Sequence, residues 1–216
     1  PFALRRASIG ILQIILQNQL PLNIEEWIAR AAAQHSAIKD PEATTARVVD
    51  YLFDRFAAVY QDQGLPVEVF AAVKANKVSS PLDFNARVQA VAAFIKTSES
   101  ESLAAANKRV SNILEKSEVT VNASDFNSGL LVEDAEIALA NAIEIKEAEV
   151  QPLFAQANYR DGLLKLTELK DNIDAFFDSV MVNAEDPTLK NNRLALLSRL
   201  RALFLHVADI SLLAQK

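Results

Sequence analysis

Apolar residues recur every three or four positions along almost the whole chain, and strict alternation of apolar and polar residues is rare. This spacing predicts amphipathic α-helices rather than β-strands. Uninterrupted runs of the pattern predict nine helices, over residues 2–19, 23–37, 42–63, 66–75, 80–96, 98–116, 132–158, 159–182 and 186–213. Short connections favour antiparallel neighbours, so the predicted fold is all-α, an antiparallel bundle of about nine helices.

Residues that begin or end helices support these boundaries. Asn23, Asp40 and Asp186 are predicted N-caps, because their side chains can accept hydrogen bonds from unpaired amides at a helix start. Gly64 stands where glycine commonly ends a helix in the left-handed conformation. The sequence Ser-Glu-Ser-Glu at residues 98–101 predicts a capping box.

One segment, residues 117–131, departs from the helical pattern because turn-forming residues dominate it. It predicts the one long loop or boundary of the molecule. We therefore expect an N-terminal helical part, residues 1–116, and C-terminal helical hairpins, residues 132–216. Both parts are expected to form one continuous domain.

The last predicted helix is apolar on two sides, which is typical of a helix packed between neighbours. Its charges are one-sided, and a single acid, Asp209, stands against five basic residues, Lys190, Arg193, Arg199, Arg201 and Lys216. The whole chain carries a net charge of −6. A helix that concentrates basic residues in an acidic protein is a candidate contact for a polyanion.

Composition narrows the possible chemistry. The chain has 216 residues, half of them hydrophobic, so it can bury a substantial core. It contains no Cys, which excludes disulfides and thiolate metal sites. No apolar run approaches the roughly 20 residues that cross a membrane, and a cytoplasmic location is compatible with this composition. Because the sequence starts at Pro1 rather than Met, we expect it to be a piece of a longer protein.

Catalytic residues are not evident. Asp50 and Asp54 lie one turn apart and could share a proton or a metal, but Arg47 and Tyr51 beside them favour a solvated surface. No glycine-rich loop precedes a helix in the pattern that binds phosphates, and no Ser-His-Asp set can be assembled. We predict no catalytic residue, no metal site and no cofactor in this chain.

The sixth predicted helix carries the best candidates for binding. Lys108 and Asn112 are spaced i, i+4 on the face opposite its apolar stripe, with Arg109 beside them. Lysine and arginine suit phosphate contacts, and asparagine can pair with the edge of a base. An ordinary solvated helix face explains the same residues, and the sequence alone leaves both interpretations open.

Two other helices offer further alternatives. In the last predicted helix, Arg193 falls within an apolar arc, so it either pairs with an internal carboxylate or projects past the bundle end toward an anion. In the first, a polar strip contains Arg6 and Gly10. Glycine in mid-helix costs roughly 1 kcal/mol relative to alanine, which favours close approach of another backbone at Gly10 over the alternative, approach of a ligand.

Four blocks of sequence carry a family resemblance. They are P-F-A-L-R-R-A at 1–7, L-A-A-A-N-K-R-V-S-N-I-L at 103–114, I-D-A-F-F-D-S-V-M-V at 173–182 and N-R-L-A-L-L-S-R-L-R-A-L-F-L-H-V-A-D-I-S-L-L at 192–213. They resemble the C-terminal end of the bacterial glycyl-tRNA synthetase beta subunit. The A-L-R at residues 3–5 is similar to part of the motif that names the D-A-L-R anticodon-binding domain, an all-helical module.

The resemblance implies a bacterial synthetase of two alpha and two beta subunits that joins glycine to its tRNA. ATP and magnesium would be used by the alpha subunit, and this region of beta would recognise the anticodon stem and loop. The expected partners are glycine tRNA, the alpha subunit and the rest of the beta subunit, with neither DNA nor a membrane among them. The enzyme is expected in the cytoplasm.

The residues and the resemblance together give a set of candidate tRNA contacts. Phosphate contacts are expected from Arg5, Arg6, Lys108, Arg109, Arg193 and Arg199, and base contacts from Asn107 and Asn112. Candidate stacking partners for loop bases are Phe84, Phe126 and Tyr159. The alternative is a structural or protein-interaction bundle that packs against the alpha subunit or the rest of beta and has little direct contact with tRNA.

Overall fold

The computed structural model describes residues 2–117 and 119–214, and the regular structure in this part of the chain is helical. Its ten α-helices are α1 (Phe2–Gln17), α2 (Ile24–Ala33), α3 (Pro41–Asp62), α4 (Val67–Lys74), α5 (Pro81–Phe94), α6 (Ser100–Glu115), α7 (Asp134–Ala155), α8 (Tyr159–Leu166), α9 (Lys170–Ser179) and α10 (Pro187–Leu205). The all-α prediction is confirmed. Glu118, in the predicted loop, and Lys216, counted among the basic residues of the last helix, lie outside the described residues.

Most of the predicted helix ends are confirmed. Asn23 Oδ1 accepts the amide of Glu25, and Asp40 Oδ1 accepts the amide of Ala43, both at 3.0 Å. Asp186 caps α10, and Gly64 follows α3 with a φ of +79°, a conformation that glycine adopts without strain. These side chains and this backbone conformation satisfy the polar groups that a helix end leaves unpaired.

The capping box predicted at residues 98–101 is wrong. Glu99, the residue that precedes α6, has an αR backbone rather than the extended backbone that a capping box requires. The hydroxyl of Ser100 donates instead to the carbonyl of Thr97 at 2.9 Å. Hydrogen bonds of a turn that follows α5 therefore replace the expected side-chain cap.

Two of the predicted helices are interrupted in the structure. A 3₁₀ turn at Thr167–Leu169 divides the predicted helix 159–182 into α8 and α9. The predicted last helix ends at Leu205, and Ile210–Leu213 forms a separate 3₁₀ turn that packs against α6. Asp209 explains this second break, because it caps the turn through the amide and hydroxyl of Ser211 and also pairs with Arg201 at 2.9 Å.

The chain divides into two compact units, residues 1–89 and 90–216, and the division falls within α5. In the first unit, helices α1 and α2 both pack against α3. Its core is a cluster of aromatic rings from α3, α4 and α5, namely Phe53, Phe56, Tyr60, Phe70 and Phe84. The Tyr60 hydroxyl donates to Asn85 Oδ1 at 3.0 Å, which satisfies a polar group inside this apolar cluster.

The second unit is built around α10. This helix packs against α6 and α7, and its Leu194, Ala195, Leu196, Leu197 and Leu200 are buried, which confirms that it is apolar on more than one side. Segment 117–131, predicted as a loop or boundary, lies inside this unit and includes two 3₁₀ turns. Asn127 and Asn192 exchange two hydrogen bonds, of 2.8 and 3.0 Å, which fasten the segment to α10.

Glycine allows close packing at one helical position and not at another. A Cβ at Gly162 in α8 would overlap the ring of Phe154 in α7, so the absence of a side chain lets these two helices approach. A Cβ at Gly10 would meet no described atom within 4 Å. The predicted close approach of another backbone at Gly10 is therefore wrong for this structure.

Candidate RNA interface

A concavity of about 650 Å³ lies in the second unit, beside α6 and the first turns of α10. Its lining residues are Ala105, Lys108, Arg109, Asn112, Ile113, Lys116, Ser117, Asn183, Lys190 and Ala214. Four of them are cationic, and none of those described is acidic. We call this surface the basic concavity. Positive charge without a carboxylate among the described lining residues favours the binding of an anion.

Helix α6 supplies most of the concavity because its two faces differ. Leu103 and Val110 are buried, whereas Asn112 is exposed and Lys108 is half-buried on the other side. Lys108 Nζ lies 3.4 Å from the carbonyl oxygen of Ala214, to which it donates a hydrogen bond. The structure thus brings three of the predicted tRNA contacts, Lys108, Arg109 and Asn112, to one surface.

Arg109 is held by an aromatic ring rather than by a carboxylate. Its Cζ lies 4.1 Å from the centroid of the Phe177 ring on α9, within the range of cation–π attraction. Phe177 in turn meets the buried Phe176 edge to face, with 5.5 Å between ring centroids. Among the described residues, no salt bridge includes Arg109.

Sequence reasoning missed four polar residues of the concavity: Lys116, Ser117, Asn183 and Lys190. The signal for Lys116 was present, because it continues the i, i+4 spacing of Lys108 and Asn112 along α6. Lys190 was counted as a charge of the last helix but was not connected to helix α6. Its position beside Lys108 depends on the packing of α10 against α6, which no local pattern specifies.

Arg193 is buried in the second unit, where it forms an internal ion pair and does not line the basic concavity. Its Nε contacts the carboxylate of the buried Glu136, and one terminal nitrogen donates to the carbonyl of Met181 at 2.7 Å. The first of the two alternatives for Arg193, pairing with an internal carboxylate, is the one observed. Arg193 is therefore removed from the candidate phosphate contacts.

Glu136 is surrounded by donors that favour its charged form. Burial by itself raises its pKa, but hydrogen bonds from Arg193 and from the backbone amides of Glu133 and Val132 outweigh burial. The net pKa of Glu136 lies below its ordinary value of 4.5. The carboxylate thus neutralises Arg193 and also caps the start of α7.

Arg199 is also neutralised within the unit. Its guanidinium makes a two-point contact with the carboxylate of Glu147 on α7, in which the Nε–Oε1 distance is 2.7 Å. Its Cζ also lies 5.5 Å from the ring centroid of Phe126. Arg199 and Phe126 are consequently engaged with each other and with α7, so both are weaker candidates for RNA contact than the residues of the concavity.

Three other candidates are buried and cannot present their side chains to RNA in this structure. Asn107 is 2% exposed, and its amide donates to the carbonyl of Leu103 at 3.0 Å. Phe84 and Tyr159 lie in the apolar cores of the first and second units. Arg5 and Arg6, by contrast, are exposed on α1 in the first unit, and their predicted contact with phosphate stays a prediction.

The catalytic and metal-binding alternatives considered in the sequence can be compared with the structure. No group of three or more metal-binding side chains occurs among them. Asp54, one of the paired carboxylates on α3, forms an ion pair with Lys74, which supports the structural interpretation of that pair. None of the described helices is both long enough and apolar enough to cross a membrane.

Similarity to known proteins identifies the class of this module. A family model of the DALR anticodon binding domain matches residues 103–210, half of the chain. The chain therefore belongs to the DALR anticodon-binding domain family. This match contains the whole of α6 after its first turn and all of α10, the two helices that carry the cations of the basic concavity.

Further similarities relate the chain to one group of ligase subunits. A family model of the glycyl-tRNA synthetase beta subunit matches residues 1–75. The chain is 50% identical over 213 residues to the glycine-tRNA ligase beta subunits of Shewanella sediminis and Haemophilus influenzae. The matched region is 99% of this chain and 31% of each relative. The chain thus spans about a third of the length of these relatives, and the family resemblance noted in its sequence is confirmed.

Proposed function

We propose that this chain is the tRNA-binding, anticodon-recognition region of the beta subunit of a glycine-tRNA ligase, and that the basic concavity binds backbone phosphates of the anticodon stem-loop. One observation carries the proposal: four cations line a single surface whose described lining residues include no carboxylate, and all four lie in the part of the chain that matches an anticodon-binding domain. Arg193 and Arg199 of the same unit already have carboxylate partners. A polyphosphate would supply the missing negative charge at the concavity.

The proposed enzyme contains two alpha and two beta subunits and acts in the cytoplasm. Its alpha subunit would bind ATP and magnesium and form the glycyl adenylate, while the beta subunit holds the tRNA. This division agrees with the residues of the chain, because the described part offers cations and amides for RNA but no cluster of metal ligands. Glycine tRNA, the alpha subunit and the rest of the beta subunit are the proposed partners.

The function is tested in the intact holoenzyme by replacing the three lysines of the concavity, Lys108, Lys116 and Lys190, with alanine. The KM for tRNA should rise by at least about tenfold at 0.15 M salt, while glycine-dependent ATP exchange stays unchanged. Each lost phosphate contact should reduce the slope of log affinity against log salt by about 0.7–0.9, so the triple variant should reduce it by about 2–3.

The matched control replaces three lysines that do not line the basic concavity, Lys39, Lys96 and Lys165, and therefore makes the same change in net charge. This control should leave the KM for tRNA within about twofold of the wild-type value. If the concavity variant also retains the wild-type KM and salt slope, the proposed site is wrong. A loss of ATP exchange in the concavity variant would show that these lysines support the holoenzyme rather than RNA binding.

A second function, as a scaffold within the beta subunit, is favoured by the apolar surface of the first unit. Leu4, Ile11 and Ile14 of α1 are 61, 48 and 55% exposed, although Leu12 and Ile15 of the same helix are buried. Leu4 and Ile11 border a groove of about 470 Å³, whose lining residues from α1, α2 and α3 are mostly apolar. Contiguous apolar surface of this kind is typical of a protein contact.

We propose that the remaining two thirds of the beta subunit pack on this groove. The proposal is supported by the match of residues 1–75 to a beta-subunit family model and by the much greater length of the relatives. Leu4→Arg with Ile11→Arg should lower the Tm of the full-length beta subunit by several degrees, because charge would enter an apolar contact. Val67→Arg with Val132→Arg, at exposed apolar positions outside the groove, is the control. Equal Tm values for both variants would mean that the groove is solvated in the full-length subunit.

A further inference from the structure

Arg109 differs from the three lysines of the basic concavity because its charged group is planar and already oriented. The Cζ atom of Arg109 lies 4.1 Å from the centroid of the Phe177 ring, and Phe177 itself packs against the buried Phe176. Arg109 is nevertheless exposed, so its side chain is accessible to a ligand. A side chain held in this way loses less conformational freedom on binding than a mobile lysine does.

A planar cation with one open face can stack on a planar ligand. Unpaired RNA bases are commonly bound by stacking on aromatic rings or on arginine guanidinium planes. Arg199 also lies over a ring, but Glu147 holds its hydrogen-bond donors, and it does not line the concavity. Arg109 both contacts an aromatic ring and lines the same concavity as the three lysines. The lysines would bind the phosphates next to a base stacked on Arg109.

The polar neighbours of Arg109 suit the edge of such a base. Asn112 is exposed and lies three residues further along α6, so the two side chains project from the same side of the helix. Its amide supplies both a donor and an acceptor, the pair of groups that a base edge requires. The wall of the concavity contributes a second exposed amide, that of Asn183.

We propose that Phe177 and Arg109 form a platform on which one unpaired base of the bound RNA loop stacks, with Asn112 hydrogen-bonded to the edge of that base. The platform rests on the proposed function, because it assumes that the lysines bind the phosphates of the same loop. It adds a subsite for a base to a surface whose other cations recognise only backbone. The stacking order would be Phe177, guanidinium of Arg109, then base.

The test measures how the intact holoenzyme binds glycine tRNA anticodon stem-loops in which each loop base in turn is removed to leave an abasic nucleotide. In the wild-type enzyme, one abasic position should reduce affinity by about tenfold, in keeping with the loss of one stacked base. Arg109→Lys keeps the charge but removes the plane. This variant should bind the intact loop about tenfold more weakly than the wild-type enzyme does. Removing the base at that position should not weaken its binding any further.

Two more variants separate the parts of the platform. Phe177→Leu should repeat the behaviour of Arg109→Lys, and equal Tm values would show that neither change acts through folding. Asn112→Ala should keep the penalty for the abasic nucleotide but lose discrimination among the four bases at that position. Arg160→Lys, at an exposed arginine that does not line the concavity, should bind every loop as the wild-type enzyme does.

The outcomes distinguish this proposal from the proposed function. If every abasic loop binds as the intact loop does, or if Arg109→Lys and base removal reduce affinity additively, the platform is overturned. In that case the proposed phosphate site would still be supported by the effect of the lysine variants on tRNA affinity and on its salt dependence. If the lysine variants bind tRNA as the wild-type enzyme does, the phosphate site fails, and the platform fails with it.

Discussion

The second unit contains two groups of basic side chains that differ in what neutralises them. Arg193 and Arg199, on α10, face carboxylates of α7 inside the unit, whereas Lys108, Lys116 and Lys190 border a concavity with no acidic residue among its described lining. Two of the basic side chains of the helix that concentrates positive charge are therefore already neutralised inside the unit. Counting charges along a helix identified a basic segment, but only the position of carboxylates decides which cations are available to a ligand.

The largest expected effect comes from removing the partner of a buried cation. Glu136→Ala would leave Arg193 buried without its carboxylate, which should lower the free energy of unfolding by about 3–5 kcal/mol. Urea denaturation followed by circular dichroism measures this change. Glu144→Ala, at an exposed position of the same helix, should stay within about 0.5 kcal/mol of the wild type. Similar values for both variants would contradict the internal role of Arg193.

Two glycines differ in the space available for an added side chain: a Cβ at Gly162 would overlap a neighbouring ring, whereas a Cβ at Gly10 would meet no described atom. Gly162→Ala should destabilise the protein by about 1–3 kcal/mol, because the new methyl group overlaps the Phe154 ring. Gly10→Ala, where the methyl group meets no described atom, should stabilise it by up to about 1 kcal/mol through higher helix propensity. Both substitutions are measured by the same denaturant titration. Destabilisation by Gly10→Ala would reveal a neighbour that approaches this position.

Acid should weaken the internal pair of Glu136 and Arg193. The pKa of Glu136 is lowered on folding, so its contribution to stability is fully present above its ordinary pKa of 4.5 and is lost as pH falls through the folded value. The loss amounts to about 1.4 kcal/mol for each unit by which folding lowers the pKa. Tm measured between pH 7 and pH 2 should fall less steeply in Glu136→Gln than in the wild type. Parallel curves would exclude Glu136 as a source of the acid sensitivity.

The smallest effect is expected at the partly exposed pair of Arg199 and Glu147. Glu147→Gln should lower the free energy of unfolding by at most about 1 kcal/mol, because solvent screens a pair at this depth. It would also release the guanidinium of Arg199. If tRNA then binds more tightly to the holoenzyme, Arg199 can act as a phosphate contact once its carboxylate is removed. Unchanged tRNA binding would place Arg199 away from the RNA.

The fold was largely predictable because its helices carry local signals. Asn23, Asp40, Asp186 and Gly64 mark helix ends through chemistry that acts within one turn of the chain. The break after Leu205 was not predicted, since the apolar spacing continues past it. Asp209 ends the helical pattern there by caps and an ion pair that involve residues up to eight positions away.

The candidate site was only partly predictable. Lys108, Arg109 and Asn112 share a helix face, and helical spacing alone places them together. Asn107 failed as a candidate because it is adjacent to Lys108 in sequence but turns into the core. Two further features depend on contacts between helices, which the spacing within one helix cannot predict. They are the contact of Arg109 with the Phe177 ring and the presence of Lys190 in the lining of the concavity.

The pair of amides that joins Asn127 to Asn192 has a practical consequence. Both partners are neutral, so neither acid nor added electrolyte competes for their two hydrogen bonds in the way that either can weaken an ion pair. Segment 117–131 should therefore keep its attachment to α10 across an ionic-strength series. A change in RNA affinity along such a series then reports on the release of counterions, and not on local detachment of this segment from α10.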